Sequence, residues 1–248
     1  MKLLVVNGNT TDAITARLAT TARAAASPGT EIVAVSAPFG ASVVGTRTED
    51  TIAAHAVVEA AAQHHVGCDA VVIAISTDAG AAAARELLPV PVIGITEAAL
   101  LTACALGGGF GLLTFGARAA GWSRELVARY GLSARLAALE ALETPAAAFA
   151  DPESFAVPLL AGVERLVGLG ADTVVIAGAA FAGLCRTLQP RAPVPLLDGV
   201  ACAVGQAELL VRLGLPKPRG GSYAALPPRT VGGVGDALAA LLGRGASD

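Results

Sequence analysis

The sequence predicts an α/β protein of two similar lobes, each built on a small parallel sheet, related by a pseudo-twofold axis with a ligand cleft between them. Short runs of β-branched and aliphatic residues alternate with Ala- and Leu-rich stretches along nearly the whole chain, the mark of βα units around buried parallel strands. Two segments also recur. "CDAVVIAISTDAG" from Cys68 has a near copy in "ADTVVIAGAAFAG" from Ala171, and "PVPVIGITEAAL" from Pro89 has one in "PVPLLDGVACAV" from Pro193. The spacing recurs as well, 19 residues from Val71 to Val90 and 20 from Val174 to Val194. A single doubly wound sheet is the competing architecture.

Taken in order, "KLLVV" is the first strand, followed by the tip Asn7-Gly8-Asn9-Thr10-Thr11 and a helix from near Asp12. "EIVAVSA" is the second strand, and the Ala-rich "TIAAHAVVEAAAQHH" is the helix after it. "AVVIAI", the helix "AGAAAAREL" and "VPVIGI" complete the first sheet. No charge occurs from Ala98 to Ala117, a length near that of a bilayer-crossing helix, but the glycines of "GGGFG" break the run into the helix "EAALLTACAL" and the strand "FGLLTF". "ARLAALEAL", "DTVVIAG" and "VPLLDG" are the remaining strands. The helix "DGVACAVGQAELLVRL" leads into the Pro- and Gly-rich "GLPKPRGGSYAALPPR", and a last helix near "GDALAALLG" is expected to return to the first lobe. The first lobe is assigned residues 1–97 plus about 206–248, and the second 98–205.

Composition narrows the class of partner. Of 248 residues, 54% are hydrophobic and 15% charged, and the net charge of -3 with 17 Lys plus Arg gives no basic footprint for nucleic acid. The apolar run Leu3–Val6 is too short for the core of a signal peptide, so a cytoplasmic protein is expected. Cys68, Cys104, Cys185 and Cys202 show no C-x-x-C spacing, which favours buried reduced thiols over a zinc site or disulfide scaffold. The expected partner is a small molecule, without nucleic acid, membrane, metal or cofactor, and the sequence leaves a homo-oligomer open.

Ligands of open α/β sheets bind beyond the carboxyl ends of the strands, so the strand tips are the candidate site. They offer Asn7, Asn9, Thr10 and Thr11; Ser76, Thr77 and Asp78; Thr96 and Glu97; Thr114 and Phe115; Gly178 and Ala179; and Asp198. Asparagine amides and free backbone N–H groups at helix starts can hold a carboxylate or amide oxygen without a formal cation. No Lys, Arg or His stands at these tips, and neither a P-loop nor a strand-following G-x-G-x-x-G is present, so a weakly charged organic acid or cyclic amide fits better than a phosphate-rich ligand. His55 is expected to be structural on an apolar helix face, and His64 and His65 to end that helix facing solvent.

The ordered set "VNGNTT", Phe39-Gly40, "DAVVIAISTDAGAAAARELLPVPVIGITEAA", "FGLLTFGAR", "GADTVVIAGAAFAGL" and "VPLLDGVACAV" resembles the aspartate/glutamate racemase superfamily, in particular its hydantoin racemase branch. The resemblance implies two pseudosymmetric α/β lobes and cofactor-independent racemisation, with one cysteine from each half acting as acid or base on opposite sides of an activated carbon. Thiols suit this because their pKa can be brought near neutrality. Matching the family's "ACF-x-DPG" to "AISTDAG" puts Ile75 at the first thiol position, and matching "LGCAGMAGL" to "IAGAAFAGL" puts Gly178 at the second. Both thiols are therefore missing, and the four cysteines present are expected in helices or at the wrong strand end.

What remains at the tips is a set of hydroxyls and carboxylates. Ser76 and Thr77 have no His or Lys among the tip residues to activate them, so they are expected to bind a substrate oxygen or steady an enolate. Asp78, Glu97 and Asp198 could act as acid or base if an apolar cleft raised their pKa. The structural alternative is that Asp78 caps the helix "AGAAAAREL", Asp198 caps "GVACAVGQ", and Glu97 answers a helix dipole. The expectation is an isomerase or racemase-like enzyme working at a carbon next to a carbonyl by non-cysteine chemistry. A lyase of the same fold and a binding protein that has lost its chemistry are the alternatives.

Overall fold

In the computed structural model, two four-stranded parallel sheets carry the predicted runs at their expected places. The structure describes residues 1–143, 151–218, 220–224 and 227–243. The first sheet has the order β2-β1-β3-β4, with β1 Lys2–Asn7, β2 Glu31–Ser36, β3 Ala70–Ala74 and β4 Val92–Gly94. The second repeats it as β6-β5-β7-β8, with β5 Phe110–Phe115, β6 Leu136–Leu142, β7 Thr173–Ile176 and β8 Leu196–Asp198. Two separate sheets with identical strand order exclude the single doubly wound sheet.

Side-chain alternation along each strand explains the layering. On the first sheet, Leu4, Val6, Val71 and Ile73 face α2, Arg47–His64, through Ala53, Val57 and Ala60, and α3, Ala81–Leu87, through Ala84. Leu3, Val5, Val72 and Ala74 point the other way, toward Ile14 and Leu18 of α1, Asp12–Ala25. With both faces covered, the strands read as continuous apolar runs.

The helices at the ends of the two sheets change lobes. After β4 the chain enters α4, Ile95–Leu106, whose Ala99, Leu100 and Ala103 pack on Phe110, Leu112 and Val175 of the second sheet beside α5, Ala117–Arg129. The other face of that sheet is covered by α6, Ala156–Gly168, through Leu159, Val163 and Leu166, and by α7, Leu184–Leu188. After β8, α8, Gly199–Leu213, joins α1 on the first sheet, burying Val200, Ala203, Val204 and Ala207. The exchange of α4 and α8 ties each lobe to the other by a covalent junction at the strand tips. The last helix, α9, Asp236–Leu242, lies against α2, with Leu241 on the first core and Gly235 N donating to Glu59 Oε1.

Two histidine expectations are corrected. His65 is buried, and its Nδ1 bonds the carbonyls of Ala61 and Ala62, satisfying the end of α2, whereas His64 is exposed as expected. His55 is exposed on α2, where its Nε2 pairs with Glu59 and its ring meets the edge of Phe39. No helix among the described residues is long and apolar enough to cross a membrane.

Glu208 fixes α8 to the first lobe. It is buried, and it accepts from Ser27 N, Ser27 Oγ and Thr30 Oγ1 in the turn before β2. Burial pushes its carboxyl up, but the Ser27 and Thr30 bonds outweigh that and hold it below the usual range. Glu208→Ala is expected to cost about 2 kcal/mol, because three donors lose one acceptor group; urea unfolding measures it, and an unchanged midpoint would refute the anchoring role.

Candidate active site

Between the tips of the two sheets lies a cavity of about 260 Å³. From the first lobe, β1 delivers Asn9, β3 delivers Ile75, Ser76 and Thr77, and the segment before α2 delivers Val43 and Val44. From the second, β5 delivers Thr114 and Phe115, α5 delivers Trp122, Ser123 and Leu126, and the turn after β7 delivers Gly178 to Phe181. An exposed ion pair between Arg47 of α2 and Glu125 of α5, at 2.5 Å, spans the two lobes. Such surface pairs are worth little in stability, so it guides approach of the walls more than it holds them.

Of the tip residues named from the sequence, Asn9, Ile75, Ser76, Thr77, Thr114, Phe115, Gly178 and Ala179 line the cavity. Asn7, Thr10 and Thr11 do not; their hydrogen bonds run within the tip and to the segment after β2. Asn7 Nδ2 donates to Asn9 Oδ1 and to Thr15 Oγ1, Thr10 N donates to Ala41 O, and Thr11 Oγ1 donates to Ser42 O. Thr11 Oγ1 therefore makes no cap bond to α1. Thr11 N also donates to Asn9 Oδ1, which leaves Asn9 Nδ2 as the donor available to a ligand. Ser76 Oγ accepts from Ala179 N at 3.2 Å, so it bridges the lobes and keeps its own hydroxyl hydrogen for a ligand oxygen.

The three candidate carboxylates are engaged away from the cavity lining. Asp78 is buried at φ 51, the only non-glycine residue with positive φ among the described ones. That conformation turns its carboxylate onto the start of α4: Oδ1 accepts from Thr96 N at 3.0 Å, and Oδ2 from Glu97 N at 2.8 Å and from Tyr130 Oη at 2.7 Å. The capping expectation thus changes partner, because the side chain caps α4 across the sheet instead of α3. Gly94 makes room for it, since a Cβ there would stand 2.4 Å from Asp78 Cγ. Glu97 pairs with Arg85 of α3. Asp198 caps α8 as expected, accepting from Val200 N and Ala201 N, and also receives Gly183 N at 2.6 Å.

The two positions expected for the family thiols, Ile75 and Gly178, are surrounded by hydrocarbon. Ile75 is only 5% exposed. At Gly178 the missing side chain is replaced by Phe115, which stacks on Phe181 with ring centroids 3.9 Å apart and lies 2.8 Å from where a Gly178 Cβ would be. Among the described residues, no cysteine lines the cavity. Cys104 and Cys202 lie in α4 and α8, Cys185 in α7, and Cys68 precedes β3; burial raises the thiol pKa of Cys68, Cys185 and Cys202.

Sequence reading missed Asp50, in the first turn of α2. Its Oδ1 accepts from Thr77 Oγ1 at 2.5 Å, so a cavity hydroxyl has an adjacent carboxylate from outside the strand tips, whereas the expectation concerned only His or Lys at the tips. Local sequence explains Asp50 completely as an acidic residue after a capping box at Thr46 and Glu49, and no signal in "TRTED" points to Thr77. The α5 residues Trp122, Ser123 and Leu126 were missed for the same reason, since they belong to a helix flank and not to a strand tip.

A two-lobed α/β protein with a cavity at facing strand tips belongs to the class that handles small molecules between pseudosymmetric halves. Residues 3–207 match the family described as Asp/Glu/Hydantoin racemase, and the chain belongs to that family. It is 31% identical to a hydantoin racemase of Paenarthrobacter aurescens, over 90% of this chain and 96% of that one, and 33% identical to one from a Pseudomonas species, over 86% and 87%. Among solved structures it is similar to an allantoin racemase from Klebsiella pneumoniae, with 34% identity, a TM-score of 0.88 and coverage of 96% and 98%. These relatives make it a racemase-family enzyme. Arylmalonate decarboxylase, at 16% identity and a TM-score of 0.60, shares the fold.

Two predictions follow from the geometry. Burial lifts the Asp78 carboxyl to about 7, against the Tyr130, Thr96 and Glu97 hydrogen bonds that lower it. The native state therefore keeps a proton that the unfolded chain releases, and Asp78's own contribution to stability is full below about pH 4 and falls by up to about 4 kcal/mol as pH rises through 7. Denaturant unfolding from pH 4 to 8 should show this fall, Asp78→Asn should flatten it, and Tyr130→Phe should extend it to higher pH by removing a bond that favours the anion. Separately, Gly178→Cys should cost about 1–3 kcal/mol by overpacking against Phe115. Adding Phe115→Ala should recover part of that loss in thermal melts; a double variant no more stable than the sum of the single losses predicts would refute the clash.

Proposed function

We propose that this chain removes and returns a proton at a carbon next to the carbonyl of a small cyclic amide of the hydantoin and allantoin kind, without a cofactor and without thiols. The observation that carries this reading is the cavity wall, which belongs to a racemase-family fold yet presents Ile75 and Gly178 at the thiol positions and no Lys, Arg or His. A wall without a cation suits a neutral amide ring better than an amino-acid dicarboxylate, whose charges would be buried unpaired. Val43, Val44, Phe115, Trp122 and Leu126 offer apolar contact for a ring substituent. Asn9 Nδ2 and the Ser76 hydroxyl are donors for the oxygen that gains charge when the C–H bond breaks. Beside the apolar side chains of this wall such donors are worth more than in water.

The test uses single enantiomers of 5-benzylhydantoin and of allantoin in D2O, followed by NMR at the ring carbon and by circular dichroism. Deuterium incorporation and decay of optical activity above the enzyme-free blank are expected for at least one of them. Formation of a new compound without exchange would mean lyase chemistry, and saturable binding with neither would mean a binding protein; either result would overturn the proposal.

A further inference from the structure

The cavity wall carries five polar side chains, Asn9, Ser76, Thr77, Thr114 and Ser123. Among the described residues, Thr77 alone of these bonds an ionisable side chain, Asp50 at 2.5 Å. Asp50 is half-buried in the first turn of α2, where the helix dipole favours its anion. The neighbouring Glu49 is committed to Gly45 N and Thr46 N, and the neighbouring Asp78 turns its carboxylate to Thr96, Glu97 and Tyr130, so neither competes for the Thr77 hydroxyl. The charged group that faces Asp50 from the second lobe is Arg129, in the last turn of α5. Burial moves the Asp50 carboxyl above the ordinary range, with the Thr77 bond and the Arg129 charge opposing that shift.

The geometry points to a one-sided proton relay in which Thr77 Oγ takes the substrate proton as its own hydroxyl proton passes to Asp50 Oδ1. This assignment rests on the proposed proton transfer beside a carbonyl. In the step, the substrate C–H bond breaks and its electron pair moves into the carbonyl to give an enolate. A new O–H bond forms at Thr77 while the old one breaks, and the displaced proton forms an O–H bond at Asp50. The reverse step returns a proton through Thr77 to the face it left. On the other side of the cavity, the hydroxyls of Thr114 and Ser123 bond no ionisable side chain among the described residues, and Gly178 and the stacked rings of Phe115 and Phe181 bring neither acid nor base.

Asp50 exchanges its proton with solvent, so deuterium should enter the substrate mainly with retention of configuration. General acid–base assistance is worth about 10²–10⁴-fold, and the face that lacks it should invert slowly. In a two-thiol site, by contrast, solvent deuterium enters with inversion.

The experiment follows homochiral 5-benzylhydantoin in D2O, with exchange read by NMR and inversion by circular dichroism on the same sample. In the wild type, exchange should outrun inversion by about tenfold or more. Asp50→Asn keeps an acceptor oxygen for Thr77 but cannot take the proton, so exchange should fall by about 100-fold or more with the fold and ligand binding retained. Thr77→Val should fall as far, and Thr77→Ser should restore most of the exchange that Thr77→Val loses. Wild-type exchange should rise with pH as Asp50 ionises, and that acid limb should vanish from the residual rate of Asp50→Asn, a change that loss of a merely structural bond would not produce. Exchange within threefold of wild type in either Asp50→Asn or Thr77→Val, or equal exchange and inversion in the wild type, overturns the relay and leaves the proposed proton transfer standing. No wild-type exchange above the blank overturns both.

Discussion

The Asp78 carboxylate holds the junction on which the two-lobed arrangement depends. It accepts from the first two free amides after Ile95 and from the Tyr130 hydroxyl at the end of α5, so one buried group joins β3, α4 and the second lobe. Because α4 leaves the first sheet to cover the second, an error in its starting direction would be carried along the helix into the packing of Leu100 and Ala103 on Phe110. The left-handed backbone at Asp78 costs about 1–2 kcal/mol, which three hydrogen bonds to an ionisable carboxyl offset. The position opposite must then be glycine, and Gly94 meets that need.

The second half solves the same junction from the other end. There the carboxylate is Asp198, at the tip of β8, capping α8 and reaching back to Gly183 N in the loop after β7. In both halves a carboxylate ties the loop after the third strand to the helix that crosses over, although the residue supplying it comes from opposite sides of the tie. The strands keep the repeat because both sheets need the same apolar alternation. The tips lose it because only the hydrogen-bonded tie must be preserved, and either partner can provide the acid.

That difference explains what the sequence could and could not reveal. All eight strands were legible, since Val, Ile and Leu runs bounded by Gly, Pro and Asn leave few alternatives for a parallel sheet, and the repeat of "VVIA" gave the symmetry. The residues at the tips were legible as a set. Their directions were not: Asp78 could be read as a cap for α3 because that helix is next in sequence, whereas its real partners lie 18 and 19 positions away. Asp50 bonds a hydroxyl 27 positions away and already had a local explanation. His65 illustrates the same limit, because a polar residue at a helix end is as well satisfied by two carbonyls inside the protein as by water.

Ile75 and Gly178, the positions expected for thiols, also shape the cavity wall. A cavity left where two side chains had been trimmed would fill with water and screen whatever charges remained. Here Ile75 closes one position and the Phe115–Phe181 stack closes the other, so each remaining hydroxyl and amide stands beside hydrocarbon, which screens poorly. Under those conditions a carboxylate reached through a single hydroxyl has more influence on a bound carbonyl compound than the same carboxylate would have at the surface. The hydroxyls of the far wall, Thr114 and Ser123, bond no such carboxylate among the described residues. The cavity thus lies between two similar lobes, as the fold dictates, while the hydroxyl–carboxylate pair on its wall, Thr77 with Asp50, stands on the first of them.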